Sequence, residues 1–323
     1  MKAVVYTKYG GPEVLELKEV DRPNPKDNEV LIKVHAVSLN DWDWSLVEGS
    51  LFVNRLIYGL FKPRFEIPGS DIAGRVEAVG SQVRRFKVGD EVYGDLSGKW
   101  GGLAEYVCAP ENMLELKSPA MTFCEAAAIP QAAMLAVQGL IDKGQIQTGQ
   151  KLLINGAGGG VGTFGIQIAK LYDAEVTVVD SGPKLAMLRS MGAIHAIDYK
   201  QEDFTKSGKQ YDLILDAKTN RPISHYLRAL TPSGTYVTVG GLMPRLFQAL
   251  LLGPLVSLFS RKKVIIVALK PNKDLAYMNK QFEAGKITPV LGKEFRLEEI
   301  RDAFELFRKG KHRGKVVINV LEC

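Results

Sequence analysis

The residues best suited to chemistry form a glycine-rich turn at residues 156–162, between two apolar segments. A turn of this composition leaves backbone N–H groups accessible, because glycine carries no Cβ that would hold an anion away. A helix after the turn would add a preference for negative charge through its dipole. These residue types therefore predict a binding site for a diphosphate group. The predicted contacts are Gly158, Gly159, Gly160, Val161 and Gly162.

Elements on both sides are needed to position this turn. Residues Lys151–Asn155 form a short apolar run typical of a buried parallel strand, and apolar residues then recur at helical spacing over Phe164–Leu171. A second, largely apolar run, Glu175–Val179, ends at Asp180. This order of strand, glycine turn, helix and strand is typical of the dinucleotide-binding βαβ unit. An ordinary tight turn is the alternative, and the flanking strands argue against it.

The glycine pattern can be counted in two registers. A strict GxGxxG spans Gly160, Gly162 and Gly165, but its last glycine would lie well inside the helix. Counting from Ala157 through Gly159 to Gly162 places the pattern directly after the strand, with alanine in the first place. The second register is therefore the one that we expect.

This stretch resembles the fingerprint of the zinc-free quinone oxidoreductases, the zeta-crystallin-like branch of the medium-chain dehydrogenase/reductase superfamily. The resemblance covers almost the whole chain, since residues 68–80 are similar to the family phrase GxDxxGxVxxxG and residues 101–106 to GGxAEY. It implies an α/β protein with a doubly wound parallel Rossmann sheet and a partly open, GroES-like β-barrel catalytic domain. The matching fingerprint residues are Gly149, Gln150, Leu153, Ala157, Gly158, Gly159, Gly160, Gly162, Gln167 and Lys170.

The pattern of elements also predicts two domains. Closely spaced β segments fill the first hundred residues, which indicates a small antiparallel barrel. From residue 122 onward, strands alternate with helices, as in a parallel sheet covered on both faces. The family resemblance implies the bounds: a dinucleotide-binding domain at residues 122–270, and a catalytic domain formed by residues 1–121 and 271–323 together. The last strand, Gly314–Val320, should return to the first domain.

The zinc-dependent branches of the superfamily bind a catalytic metal through cysteine, histidine and cysteine. Motif matching places these positions at Asn40, at Ser70 and near Gln131, and none of these residue types is a usual zinc ligand. We therefore expect no metal. The reaction would then depend on a nicotinamide cofactor, with the protein aligning the acceptor and polarising the atom that gains charge. Such chemistry suits a small apolar acceptor, either a quinone or an α,β-unsaturated carbonyl compound.

The sequence Asn40–Asp43 resembles the Asn-x-x-Asp motif that this family places where the nicotinamide meets the substrate. The resemblance implies that Asn40 donates a hydrogen bond in the cleft and that Asp43 orients it. Alternatively, these residues only cap a helix at Trp42–Val47. Reduction of enoyl thioesters ranks lower, because the loop Glu48–Leu51 lacks the tyrosine of those reductases. An alcohol or aldehyde oxidoreductase and a cofactor-binding protein without physiological catalysis are the remaining alternatives.

Two signals disagree about the cofactor. Asp180 ends the second strand, where an acid usually binds the ribose 2′-hydroxyl of NAD(H) and repels a 2′-phosphate. In contrast, Ser181, Lys184 and Tyr199 match in spacing the residues with which the quinone oxidoreductases hold the 2′-phosphate of NADP(H). We expect NADP(H) to be slightly favoured as the cofactor, with NAD(H) as the alternative. Besides the turn, the expected cofactor-binding residues are Asn40, Asp180, Ser181, Lys184, Tyr199, Val239 and Gly240.

Composition argues against several classes of function. The chain has 323 residues and a net charge of +6, but its densest basic run, Arg308–Lys315, lacks the aromatic residues that stack on bases. We therefore expect a solvated turn there and no nucleic-acid binding. No apolar run reaches membrane-spanning length. Cys108, Cys124 and Cys323 are too widely spaced for a disulfide framework, so we expect a cytoplasmic protein.

Two long apolar segments call for an explanation. They cover Leu51–Phe65 and Leu246–Phe259, and the second is flanked by Arg245 and by basic residues at 261–263. Burial in the core or in a dimer contact is the favoured explanation. The alternatives are that they rim the cleft for a lipophilic acceptor, or that they make peripheral contact with a membrane surface. The family resemblance implies a homodimer that pairs near the strand Val264–Ala268.

Overall fold

The computed structural model describes residues 1–50 and 52–321, with the backbone alone for residues 52–54. Leu51 and Cys323 therefore lie outside the described residues. In the apolar segment that begins at Leu51, side chains are described from Arg55 onward.

Two compact units make up the chain, Met1–Gln131 together with Pro271–Cys323, and Ala132–Lys270. In chain order, the amino-terminal elements are β1 (Lys2–Val5), β2 (Glu16–Glu19), β3 (Glu29–Ser38), α1 (Asp41–Glu48), α2 (Phe52–Tyr58), β4 (Asp71–Val79), β5 (Glu91–Asp95), β6 (Tyr106–Pro110), β7 (Glu115–Leu116) and α3 (Phe123–Ala127).

Helix α4 (Pro130–Val137) leads into the second unit and continues as a π-helical turn at Gln138–Lys143. The elements that follow in this unit are β8 (Lys151–Asn155), α5 (Gly160–Lys170), β9 (Glu175–Asp180), α6 (Gly182–Ser190), β10 (His195–Asp198), β11 (Tyr211–Asp216), α7 (Ile223–Arg228), β12 (Leu230–Thr238), α8 (Met243–Phe259) and β13 (Lys263–Ile266). The carboxyl-terminal elements are α9 (Leu275–Glu283), β14 (Leu291–Arg296), α10 (Ile300–Arg308) and β15 (Lys315–Asn319).

A seven-stranded sheet organises the first unit, in the order β14-β15-β3-β4-β5-β7, and β6 also pairs with β3. Strand β3 is central, because β4, β6 and β15 all pair with it in antiparallel fashion. Its residues are buried except for the half-buried Lys33 and His35. A strand buried on both faces has a nearly continuous apolar sequence, which explains the run at residues 30–37. The last strand of the chain joins this sheet, as expected.

The division between the units falls after Gln131, later than the family resemblance places it. Helix α3 explains the difference, because it packs on β3 and β4 of the first unit. The ring of Phe123 stacks on His35 with 4.1 Å between centroids. The helix starts with the capping box that its sequence predicts: the Thr122 hydroxyl accepts from the Glu125 N–H at 3.1 Å, and the Glu125 carboxylate accepts from the Thr122 N–H at 2.8 Å.

Six parallel strands form the sheet of the second unit, in the order β10-β9-β8-β11-β12-β13. The order reverses between β8 and β11, and open parallel sheets bind ligands at such a switch point, outside the carboxyl ends of the strands. Asn155 at the end of β8 is level with Asp216 on β11 and with Val179 on β9. The predicted fold class, α/β with a doubly wound parallel sheet and a separate β domain, is confirmed.

Helix α8 carries apolar side chains on both faces. Its inner side packs on the edge strand β13, where Ala249 and Gly253 are buried. On its outer side, exposed apolar residues recur every three or four positions, so core burial accounts for the inner side only. Within the described residues, no helix combines the length and apolar character needed to cross a membrane. Among the described side chains of the two apolar segments, the large apolar ones that are exposed are Leu56, Ile57, Leu60, Phe61, Phe247, Leu250, Leu251, Leu255, Leu258 and Phe259.

Candidate active site

The glycine turn joins β8 to α5. Helix α5 begins at Gly160, and its N-cap, Gly159, has an extended backbone and no side chain to bond the first turn. The first four N–H groups of a helix have no partner inside it, so Gly160, Val161 and Gly162 offer donors to an anion. A Cβ at Gly162 would lie only 2.3 Å from the Cα of Ala157, so glycine allows the helix to pack against the turn. This packing fits the register counted from Ala157.

Gly158 lies against the end of β9. Its N–H donates to the Asp180 carboxylate at 2.7 Å. A Cβ at this position would lie 2.4 Å from the Cδ of Lys184 and 3.0 Å from Oδ2 of Asp180. A turn without side chains, a helix N-terminus and an acid at the end of the next strand are what the diphosphate and ribose of a dinucleotide require. The residues present therefore fit a dinucleotide cofactor.

Asp180 and Lys184, which predict opposite cofactor preferences, contact each other. The Nζ of Lys184 lies 3.5 Å from Oδ1 of Asp180, and each side chain is 9% exposed. Ser181 donates its N–H at 2.7 Å and its hydroxyl at 3.3 Å to the same oxygen. Tyr199 follows β10, donates its N–H to the Asp180 carbonyl oxygen at 3.2 Å, and has an exposed ring. The structure thus brings these four residues together, and the lysine offsets part of the carboxylate charge.

A polar cluster that we did not identify from the sequence links the carboxyl ends of β8, β11 and β12. The Asp216 carboxylate accepts from the Asn155 amide and the Tyr236 hydroxyl, each at 2.8 Å. Burial and the Asp216 charge raise the pKa of Tyr236, which keeps its hydroxyl a donor. Val239 donates its N–H to the Asp216 carbonyl oxygen at 3.0 Å, which holds the backbone that leads to Gly240. The sequence feature that could have indicated this cluster is Asp216 itself, an acidic residue directly after the apolar run of β11.

Asn40 lies between β3 and α1 and is 6% exposed. Its Nδ2 is 3.4 Å from the Ser70 hydroxyl and 3.5 Å from the Ser38 carbonyl oxygen. Its Oδ1 accepts from the Nζ of Lys315 at 2.5 Å. Asp43 accepts from the Asn40 backbone N–H at 2.8 Å and from the Ser70 hydroxyl at 3.3 Å. In these contacts Asp43 holds the backbone of Asn40, and the amide itself is held by Lys315, which the sequence did not suggest.

The other positions of the zinc-binding motif lie in the same unit. Ser70 contacts Asn40, and the next residue, Asp71, is fully buried. The Gln131 N–H donates to the Asp71 carboxylate at 3.1 Å, so one polar cluster includes all three positions. Within the part of the chain that the structure describes, no group of three or more His, Cys, Asp or Glu side chains is arranged to hold a metal ion.

Burial changes the ionisation of this cluster. It raises the pKa of Asp43 to about 7, and it raises the pKa of Asp71 and of Asp95 as well. It lowers the pKa of Lys315, whose Nζ lies 3.6 Å from Oδ2 of Asp71. One ammonium group therefore faces several buried carboxyl groups, and part of the cluster stays protonated near neutral pH.

The raised pKa of Asp43 predicts a specific loss of stability with increasing pH. An unfolded aspartate has a pKa of about 3.9, so between that pH and the folded pKa the native state binds a proton that the unfolded state has lost. The free energy of unfolding should therefore fall through this window, by up to about 1.4 kcal/mol per pH unit. Asp43→Asn lacks this titration and should show a shallower fall. Urea denaturation at several pH values measures both slopes, and equal slopes would contradict the assignment.

Comparisons with known proteins agree with this architecture. The profile of the alcohol dehydrogenase GroES-like domain matches residues 26–119, and that of the zinc-binding dehydrogenases matches residues 191–318. The 2-methylene-furan-3-one reductase of Solanum lycopersicum is 35% identical, over 99% of this chain and 79% of that protein. The chloroplastic NADPH-dependent alkenal/one oxidoreductase of Arabidopsis thaliana is 33% identical, over 98% of this chain and 79% of that protein.

A solved structure extends the likeness to three dimensions. The quinone oxidoreductase from Coxiella burnetii superimposes with a TM-score of 0.89 and 29% sequence identity, covering 99% of each chain. The likeness therefore includes both units, and the sequence identities to the plant reductases are high enough over the full chain to show common ancestry. This chain belongs to the medium-chain dehydrogenase/reductase superfamily, in its quinone oxidoreductase branch.

Proposed function

We propose that this protein reduces quinones or α,β-unsaturated carbonyl compounds with NAD(P)H as the hydride donor. The observation that carries the proposal is the buried Asn40 amide. Its Oδ1 is bound by Lys315, so its N–H₂ end is the one that can donate to the oxygen of an acceptor. The names of the relatives support this acceptor class, since they are a furanone reductase, an alkenal/one oxidoreductase and a quinone oxidoreductase.

When bound, the nicotinamide supplies the hydride. The chain's own residues bind and orient the reactants. The N–H groups of Gly160, Val161 and Gly162 bind the diphosphate, and the group around Asp180 receives the adenosine ribose. Asn40 donates to the oxygen that gains negative charge, and such a preorganised donor stabilises the transition state more than the ground state. Enolate and hydroquinone anions are stable enough that the site needs no strong acid.

The test is NAD(P)H consumption, followed by absorbance, against a panel of quinones, enals, enones and simple ketones. Turnover of quinones or enones is the expected result. Preferential turnover of alcohols and aldehydes would favour the alcohol oxidoreductase alternative, and tight cofactor binding without turnover would favour a binding protein. We also propose that the reaction needs no metal. Elemental analysis of the same preparation and addition of a chelator test this, and one tightly held zinc per chain would refute it.

NADPH is, in this proposal, preferred over NADH. The Asp180 carboxylate would repel a 2′-phosphate if it were free, but it accepts two backbone N–H groups and lies beside Lys184. The lysine and the hydroxyl groups of Ser181 and Tyr199 are the types of donor that bind a phosphate. The relative from Arabidopsis thaliana is named as NADPH-dependent, which supports the same choice.

Replacing Lys184 by alanine should weaken NADPH binding about tenfold, or about 1.4 kcal/mol, and leave NADH almost unchanged. The cause is loss of a charge-assisted contact to the 2′-phosphate, together with exposure of that phosphate to the Asp180 charge. Asp180→Ser should strengthen NADPH and weaken NADH. Lys200→Ala, an exposed lysine nearby, is the matched control. The measurement is the Michaelis constant for each cofactor in the wild type and the variants. A wild-type Michaelis constant at least about tenfold lower for NADH than for NADPH would overturn the proposed preference for NADPH.

A homodimer is the assembly that we propose. Strand β13 is at the edge of the parallel sheet, and Val264, Ile265 and Ile266 are only half-buried. The outer edge of such a strand has unpaired N–H and C=O groups that can pair with another strand. Pairing with the same strand of a second copy gives a closed, two-fold interface. Helix α8 packs on β13, so its exposed outer face would extend the contact.

Glutamate at Leu258 should shift the protein from dimer to monomer. Leu258 is 74% exposed in the single chain, and a carboxylate buried in an apolar interface is costly. Val88→Glu is the matched control, because Val88 is 62% exposed in the other unit. Light scattering at micromolar concentration should give twice the 35.5 kDa chain mass for wild type and for the control. A monomeric wild type that binds anionic vesicles would contradict the dimer and favour the membrane explanation of α8.

A further inference from the structure

We propose that Lys315 is a positioning residue for hydride transfer, because its ammonium group determines which end of the Asn40 amide donates a hydrogen bond to the acceptor. The inference rests on the proposed function. Lys315 does not touch the acceptor in this proposal and acts through Asn40. Its role would explain why a cation is present, fully buried, beside the residues that replace the zinc ligands.

Strand pairing places the lysine there. Lys315 is the first residue of β15, which pairs with β3 so that Val317 is level with Ser38. The Leu39 N–H donates to the Val316 carbonyl oxygen at 3.0 Å, and this bond continues the ladder toward Asn40. The lysine side chain therefore lies beside the residue that follows β3. It is 4% exposed, so its ammonium group has exchanged water for protein partners.

The donor and acceptor chemistry of the two side chains fixes the orientation of the amide. The Nζ of Lys315 donates to the Asn40 Oδ1 at 2.5 Å and to the Leu39 carbonyl oxygen at 3.1 Å. An ammonium group has three donors and no acceptor, so only the oxygen end of an amide can face it. A flipped amide would place two donors against each other in a buried site. Lys315 thus keeps the Nδ2 end turned toward Ser70 and Ser38.

The side chain of Asn40 also hydrogen-bonds Asp71, and the contacts of its Nδ2 to two serines are long. The Nδ2 distances of 3.4 Å to the Ser70 hydroxyl and 3.5 Å to the Ser38 carbonyl oxygen are long for hydrogen bonds. An acceptor oxygen at a normal distance would be a better partner than either serine. Bonding of the ammonium group to Oδ1 also draws electron density from the amide, which makes its N–H groups stronger donors. Both effects should increase stabilisation of the charge that develops on the acceptor oxygen.

A purely structural role is the competing explanation. The Lys315 ammonium group lies 3.6 Å from Oδ2 of Asp71, with Asp43 and Asp95 also buried nearby, so it compensates charge as well. Removing one partner of a buried pair is strongly destabilising, whereas replacing both partners by neutral groups is often close to neutral. This difference separates the two roles, because a double variant can restore charge balance without restoring the contact to Asn40.

The experiment compares wild type, Lys315→Met, Lys315→Met/Asp71→Asn and Lys117→Met. Lys117 is the matched control: it is a buried lysine of the same unit, 2.9 Å from the Glu91 carboxylate. Thermal unfolding, kcat with one quinone and one enone, and NADPH affinity by fluorescence titration are measured for each. Lys315→Met should lose at least about tenfold in kcat with similar NADPH affinity, a change of about 1.4 kcal/mol. The double variant should regain stability but not kcat, and Lys117→Met should lose stability only.

A readout independent of turnover accompanies these measurements. In ¹⁵N-labelled protein without cofactor, the side-chain amide signal of Asn40, assigned with Asn40→Leu, should shift or broaden in both variants that lack Lys315. It should stay in place in Lys117→Met. An unchanged Asn40 signal, or a double variant with wild-type kcat, would overturn the proposal and leave charge compensation as the role. If Lys315→Met does not fold, the double variant carries the test. If wild type reduces no acceptor, the proposed function fails, and the amide signal alone decides whether Lys315 positions Asn40.

Discussion

Leucine at Asn40 should lower kcat for quinone or enone reduction by about 10²–10³-fold, the scale of losing one donor to developing negative charge. Leucine is close to asparagine in shape but cannot donate a hydrogen bond. Cofactor affinity should change far less than kcat, because the glycine turn and the group around Asp180 are untouched. Initial rates with one quinone and one enone give kcat and KM, and fluorescence titration gives the Kd for NADPH.

Asn279→Leu provides the matched control for this prediction. Asn279 lies in the same unit, accepts from the Tyr93 hydroxyl at 2.9 Å and donates to the Leu116 carbonyl oxygen at 2.8 Å. Its replacement should therefore lower thermal stability while kcat stays at the wild-type value. Equal losses of kcat in both variants would indicate a general effect on folding. Wild-type kcat in Asn40→Leu would show that Asn40 only caps helix α1.

Valine at Gly160 should weaken NADPH binding about a hundredfold, or about 2.8 kcal/mol. Gly160 is the first residue of α5, where the backbone N–H groups face the expected diphosphate. A branched side chain there would occupy the space of the phosphate oxygens and prevent charge-assisted hydrogen bonds worth about 1.5–3 kcal/mol each. Thermal unfolding should still show a folded protein. An unchanged cofactor titration would mean that the diphosphate lies elsewhere.

Gly162→Ala offers a contrast within the same turn. The new Cβ would lie 2.3 Å from the Cα of Ala157, so it collides with the protein's own backbone and not with a ligand. This variant should therefore lose thermal stability even without cofactor, as well as affinity. If both variants lost affinity and stability in the same proportion, the distinction between ligand space at Gly160 and helix packing at Gly162 would be wrong.

The sequence alone was sufficient to predict those elements whose formation depends on residues close together in the chain. Strand β8, the glycine turn, α5 and β9 follow from apolar periodicity and from positions where a Cβ does not fit, all within one short segment. The capping box of Thr122 and Glu125 has the same local character. In contrast, α8 reads as apolar on every face, and only its packing on β13 decides which side chains are left exposed. The boundary after Gln131 likewise depends on where α3 packs.

The polar cluster around Asn40 shows most clearly what tertiary structure decides. Resemblance to the family's Asn-x-x-Asp motif pointed to Asn40 and Asp43, but nothing near them in the chain indicates Lys315, which lies 275 positions from Asn40. A lysine at the start of an apolar strand reads as an ordinary exposed flank. The antiparallel pairing of β15 with β3 buries it against the amide. A local motif that resembles the family's thus identified the candidate donor, whereas its orienting partner comes from a long-range strand pairing that local sequence does not encode.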